Sequence, residues 1–109
     1  MISDLTLIAE LIIQGCCNVN IEQGILLSCS TTLSRLSIPS GIVELSEACL
    51  SGQSNLEFIN LPNSLEKVDC YVLANCTNLK IIRLPKSLAK FEHNLTYENN
   101  AEVVYVSGN

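Results

Sequence analysis

The chain has 109 residues, the length of one small domain, and 48% of them are hydrophobic whereas 16% are charged. This balance excludes intrinsic disorder, because the chain has enough apolar surface to form a packed core. The net charge is −5, and the six basic residues form no run. Nucleic acid and anionic membrane surfaces are therefore excluded as expected partners.

The N-terminal segment does not resemble an export signal. It carries Asp4 where a secretory signal carries Lys or Arg. Its apolar stretch from Leu5 to Ile13 is interrupted by Glu10 and is too short to cross a bilayer. We therefore expect a cytoplasmic protein.

A repeat of 23 residues organises the middle of the chain, at residues 33–39, 56–62 and 79–85. Each segment has Leu, two variable positions, an aliphatic residue, one variable position, an aliphatic residue and then Pro. The alternation predicts a strand, which the Pro ends. We expect parallel strands near residues 34–38, 57–61 and 80–84. The residues expected to be buried there are Leu36, Ile38, Ile59, Leu61, Ile82 and Leu84.

The two ends of the chain follow the repeat less closely. Residues 4–14 form either a first repeat strand or a capping helix that ends at Gly15. Residues 101–106 contain the motif again, with Ala101 as its first residue. We expect one domain, 1–109, with the following parts: a degenerate N-terminal cap or repeat at 1–32, repeats at 33–55, 56–78 and 79–100, and a C-terminal strand at 101–109.

The repeat resembles BspA-like leucine-rich repeats. In that family the strand motif with its Pro is followed later by Ala-Phe-x-Gly-Cys. Residues 56–65 carry the first part here, and residues 72–76 the second, with Leu73 in place of Phe and Asn75 in place of Gly. The resemblance implies a mainly β repeat solenoid used for protein–protein contact. It would be a short right-handed stack of parallel strands with irregular or short helical return segments.

No residue pattern predicts catalysis. The single histidine, His93, lies in a polar stretch without a nucleophile nearby. The cysteines lack the Cys-x-x-Cys spacing of zinc sites, so we expect reduced thiols that pack as small hydrophobic residues. These cysteines are Cys16, Cys17, Cys29, Cys49, Cys70 and Cys76. We therefore expect a non-enzymatic protein without cofactor or metal.

The strand motif also predicts a protein-binding face, because the positions between the inward aliphatics point outward. One predicted outward row consists of Glu10, Arg35, Phe58, Ile81 and Val103, and the other of Ile12, Ser37, Asn60, Arg83 and Tyr105. Phe58, Ile81, Val103 and Tyr105 should form a contiguous apolar strip, and an exposed apolar strip next to arginine is typical of an interface. The predicted face consists of Arg35, Phe58, Asn60, Ile81, Arg83, Val103 and Tyr105. The alternatives are that the C-terminal tail covers this strip, or that the register is off by one residue.

Two functions fit these features. The first is a protein-interaction or scaffolding module whose partner is another protein, or a second copy joined through the strand face or the C-terminal strand. The second is a small acidic inhibitor, of phage or mobile-element origin, that blocks a nucleic-acid-processing enzyme. Identification of the partner by pull-down would distinguish them.

Overall fold

A computed structural model describes residues 17–20, 22–30 and 32–106. Two short helices, a 3-10 helix (Lys86–Phe91) and α1 (Glu92–Thr96), lie in this part of the chain. Its strands are β1 (Cys17–Asn20), β2 (Ile25–Cys29), β3 (Arg35–Ser37), β4 (Glu44–Leu45), β5 (Phe58–Asn60), β6 (Lys67–Val68), β7 (Ile81–Pro85) and β8 (Glu102–Val106). The predicted helix or strand at residues 4–14, with the outward positions Glu10 and Ile12, lies outside the described residues.

The motif strands form one parallel four-stranded sheet in the order β3, β5, β7, β8. Leu36 lies opposite Ile59, and Ile59 lies opposite Ile82, so each step between these strands corresponds to one repeat. The six aliphatic residues predicted to be buried are each at most 2% exposed. The predicted parallel strands and their inward faces are therefore confirmed.

The return halves of the repeats at 33–55 and 56–78 contribute β4 and β6 to a second sheet, in the order β1, β2, β4, β6. Leu26, Leu45 and Val68 align in the parallel strands β2, β4 and β6, and all three are buried. In the last repeat the 3-10 helix and α1 follow instead, and they bury Leu88 and Leu95. The return segments are thus extended in two repeats and helical in the third. A mainly β repeat fold with one continuous apolar core results.

The N-terminal part of the second sheet is an antiparallel hairpin of β1 and β2. Gly24 closes its turn with a φ of +69°, and a Cβ atom there would lie only 2.3 Å from the Gly41 carbonyl oxygen. The hairpin places Cys17 directly opposite Cys29, and a disulfide joins them. The expectation that all cysteines are reduced thiols is therefore wrong for this pair, because the sequence pattern did not indicate the hairpin.

The last strand, β8, pairs with β7 in a register one residue away from the predicted one. Ile82 lies opposite Val103, and Leu84 lies opposite Tyr105. The step from Ile59 to Ile82 is 23 residues, whereas the step from Ile82 to Val103 is 21, because the helical last repeat is shorter. A one-residue shift moves every side chain to the other face of a sheet.

This shift corrects the predicted outward rows. Val103 and Tyr105 are half-buried and pack against the core. Glu102 lies beside Ile81, and Val104 lies beside Arg83, so these two residues occupy the outward positions.

We predict that Ile59→Asp lowers the free energy of unfolding by about 3–5 kcal/mol, because the core offers no partner for a buried charge. The matched control is Asn60→Asp, since the next side chain points outward beside Arg83. The control should change stability by less than about 0.5 kcal/mol. Urea unfolding followed by circular dichroism measures both. Equal losses in the two variants would contradict the assigned faces of β5.

The register of β8 generates a second prediction. Tyr105→Ser should lower the free energy of unfolding by about 2 kcal/mol, because this side chain packs against the core. Val104→Ser should cost less than about 1 kcal/mol, since Val104 lies on the outward side. Thermal unfolding of both variants tests the register. A larger loss in Val104→Ser would restore the register predicted from the sequence.

Candidate protein-binding face

The outward row of the parallel sheet begins with Arg35, Phe58 and Ile81, which lie side by side on β3, β5 and β7. The guanidinium carbon of Arg35 lies 4.2 Å from the centroid of the Phe58 ring, which is the geometry of a cation–π contact. Phe58 and Ile81 are half-buried, and the row continues to the exposed carboxylate of Glu102. The apolar strip predicted to run from Phe58 to Tyr105 therefore ends at Ile81.

The second outward row consists of Ser37, Asn60, Arg83 and Val104. Asn60 and Arg83 help to line a hollow of about 420 Å³ at the ends of the strands. Its other lining residues are Ser40, Leu61, Pro62, Asn63, Pro85 and Val106.

The ion pairs between described residues are Lys67–Glu44 at 3.9 Å and Lys80–Glu57 at 3.4 Å. Arg83 takes part in neither of these two pairs.

Tyr105 and Val103 lie apart from this face. The Tyr105 hydroxyl donates a hydrogen bond to the Glu92 carboxylate of α1, and this bond raises the pKa of Tyr105. Its side chain thereby joins β8 to α1. Of the seven residues predicted for the face, the structure groups Arg35, Phe58, Asn60, Ile81 and Arg83 on its outer side.

A second group of exposed side chains was not predicted from the sequence. Tyr71 and Tyr97 are each 42% exposed, and their ring centroids lie 5.2 Å apart in an edge-to-face arrangement. The His93 ring centroid lies 6.1 Å from that of Tyr97. These three rings, with Cys70 and Asn94, line a hollow of about 220 Å³. Cys70 and His93 are separated by one repeat length. Alignment of the repeats could therefore have predicted that these two residues lie close together.

The free cysteines among the described residues differ in their surroundings, whereas Cys16 lies outside these residues. Burial raises the pKa of the Cys49 thiol to about 12 and also raises the pKa of Cys76. The Cys76 thiol donates to the Leu50 carbonyl oxygen at 3.3 Å. These two are buried as expected, whereas Cys70 is exposed, which corrects its expected burial. Its equivalents one repeat away, Glu47 and His93, are also exposed, so this is an outward position of the repeat.

The described residues contain neither a cluster of metal-ligating side chains nor a membrane-spanning helix. No group of three or more His, Cys, Asp or Glu side chains among them could hold a metal ion. Within the same residues, no helix has the length and apolar character needed to cross a bilayer.

The stacked parallel strands and their recurring buried leucines define a leucine-rich-repeat protein. Residues 6–107 match the family model described as "BspA type Leucine rich repeat region (6 copies)", and the chain belongs to this family. The resemblance seen in the sequence is thus confirmed. No curated protein and no solved structure shows a significant match to the chain. Leucine-rich repeats generally mediate protein–protein interaction and are typically non-enzymatic.

The cysteine environments predict the order of alkylation by iodoacetamide at pH 8. Cys70 should react first because it is exposed. Cys49 should react far more slowly, because a pKa raised from 9.0 to about 12 lowers the thiolate fraction roughly a thousandfold. Cys17 and Cys29 should react only after reduction.

Peptide mass spectrometry over time measures these rates, with Cys70→Ser as the control that removes the fast reaction. Rapid labelling of Cys49, or labelling of Cys17 and Cys29 without a reductant, would contradict the assignment.

Proposed function

We propose that the chain is a non-enzymatic protein-interaction module that binds its partner through the outer face of the β3–β5–β7 sheet. In this proposal the two sheets are the two sides of one short right-handed solenoid that spans residues 1–109. The observation that carries the proposal is the row of Arg35, Phe58 and Ile81 beside the hollow that contains Arg83.

The composition of this row supports binding to protein. Aromatic and arginine side chains contribute a large share of the binding energy at interfaces. Arg35 already stacks on Phe58, so both side chains are held in place before a partner arrives. Association then loses less side-chain entropy than it would with two mobile side chains.

The hollow beside the row adds a polar element. Pro62 and Pro85 contribute rigid apolar walls, while Asn60 and Arg83 contribute polar groups. A carboxylate or backbone carbonyl on the partner would accept hydrogen bonds from the Arg83 guanidinium, which is suited to paired acceptors. The partner we propose therefore presents an apolar side chain to Phe58 and an acceptor to Arg83.

A second copy of the chain is one partner that fits the proposal. In the described residues β8 is the last strand of its sheet and pairs only with β7. Its residues include Val103, Val104 and Val106, and an apolar edge strand can pair with another chain. Light scattering at two protein concentrations would distinguish self-association from binding to a different protein.

The proposal predicts that Phe58→Ser weakens partner binding about thirtyfold, which corresponds to about 2 kcal/mol. The matched control is Leu27→Ser, which also removes an exposed apolar side chain but lies on β2, in the other sheet. Partners captured from the native cell extract by each variant would be compared by quantitative mass spectrometry. The affinity of the main partner would then be measured by calorimetry.

The melting temperature serves as the folding check for both variants. Equal binding by wild type and Phe58→Ser, or equal loss in Leu27→Ser, would contradict binding through this face.

A further inference from the structure

The hollow lined by Tyr71, Tyr97 and His93 has the form of an open aromatic recess. The two tyrosine rings stand at 75° to each other with their centroids 5.2 Å apart, and each tyrosine is 42% exposed. Two rings at such an angle can present a ring face and a ring edge to one small group. The recess shares no residue with the face formed by Arg35, Phe58 and Ile81.

The fold does not require an aromatic side chain at Tyr71. Ala48 holds the equivalent place one repeat earlier and has the same left-handed backbone, with φ of 56° against 61° for Tyr71. This conformation is unfavourable for a bulky side chain. An alanine therefore makes the turn equally well, and the Tyr71 ring contributes exposed surface that the turn itself does not need.

The surroundings of the recess are acidic. The pKa of Tyr71 is raised, first by Tyr97, then by desolvation, and then by Cys70, Glu98 and Glu47. The hydrogen bond from the Ala48 amide to the Cys70 carbonyl oxygen, at 3.1 Å, brings the turn that carries Glu47 beside Cys70. None of the described residues that line the recess is a lysine or arginine. A cation there would meet the tyrosine rings, with the charges of Glu98 and Glu47 near enough to raise the pKa of Tyr71.

We propose that this recess binds the cationic side chain of an arginine or lysine in a basic segment of a protein partner. The ring faces would attract the cation through their quadrupoles, and Glu98 and Glu47 would add charge attraction. The net charge of −5 favours the approach of such a segment. This second surface goes beyond the proposed strand-face function and does not depend on it.

The test uses a capped pentapeptide with one central arginine between glycines, titrated against the full chain and followed by NMR of the aromatic side chains. The comparison peptide carries citrulline, which is neutral but nearly the same shape. The arginine peptide should shift the ring signals of Tyr71, Tyr97 and His93, with an affinity in the millimolar range. The citrulline peptide should not shift them.

Variants locate the site. Tyr71→Ala and Tyr97→Ala should each weaken arginine-peptide binding about fivefold, whereas Tyr105→Phe, which alters the third tyrosine, should leave it unchanged. Glu98→Gln should weaken binding about threefold. Glu22→Gln changes the net charge equally, but in the turn of the N-terminal hairpin, and should have no effect.

The melting temperature of Tyr71→Ala should stay close to that of wild type, because Ala48 already makes the same turn. Phe58→Ser should leave peptide binding unchanged, which separates this site from the strand face. Equal binding of the citrulline peptide, or wild-type affinity in both tyrosine variants, would overturn the proposal. Shifts spread over the acidic surface without the ring signals would overturn it as well.

Discussion

Pairing between equivalent inward residues of successive repeats is the constraint on which the rest of the structure depends. Leu36, Ile59 and Ile82 lie opposite one another in neighbouring strands and are almost completely buried. The backbone ladder continues past the strands, where the Ile38 amide donates to the Asn60 carbonyl oxygen at 2.9 Å. A shift of one residue would turn apolar side chains toward water and polar ones into the core. Both the core and the positions of the outer side chains follow from this register.

The same constraint leaves the outward positions free to vary. The core requires an aliphatic residue at each inward position, but it does not require a particular residue type at a turn that faces solvent. Ala48 and Tyr71 occupy one such turn position in the same left-handed conformation. The exposed residues Glu47, Cys70 and His93 occupy another. Residues can therefore change there without cost to the core, and binding surfaces can arise on a repeat whose interior is fixed.

The two surfaces that we propose differ in charge and would select different groups. The strand face carries Arg35 stacked on Phe58, together with Arg83, which forms no ion pair with another described residue. It suits apolar groups with hydrogen-bond acceptors. The recess between Tyr71 and Tyr97 has acidic residues around it and suits cations. Since the two surfaces share no residue, one can be altered without the other.

The sequence by itself determined the repeat, the parallel strands, the buried aliphatics and the place of Arg35, Phe58 and Ile81 on one outer row. These follow from local alternation and from the constant spacing, which any stack of such strands must obey. Tertiary structure decided the rest. The register of β8 depends on the number of residues in the helical last repeat. Because of this register, Tyr105 lies on the core side and not on the predicted outer face. The disulfide at Cys17 and the recess at Tyr71 likewise depend on which segments meet in space, because spacing along the chain does not specify a hairpin or an angle between rings.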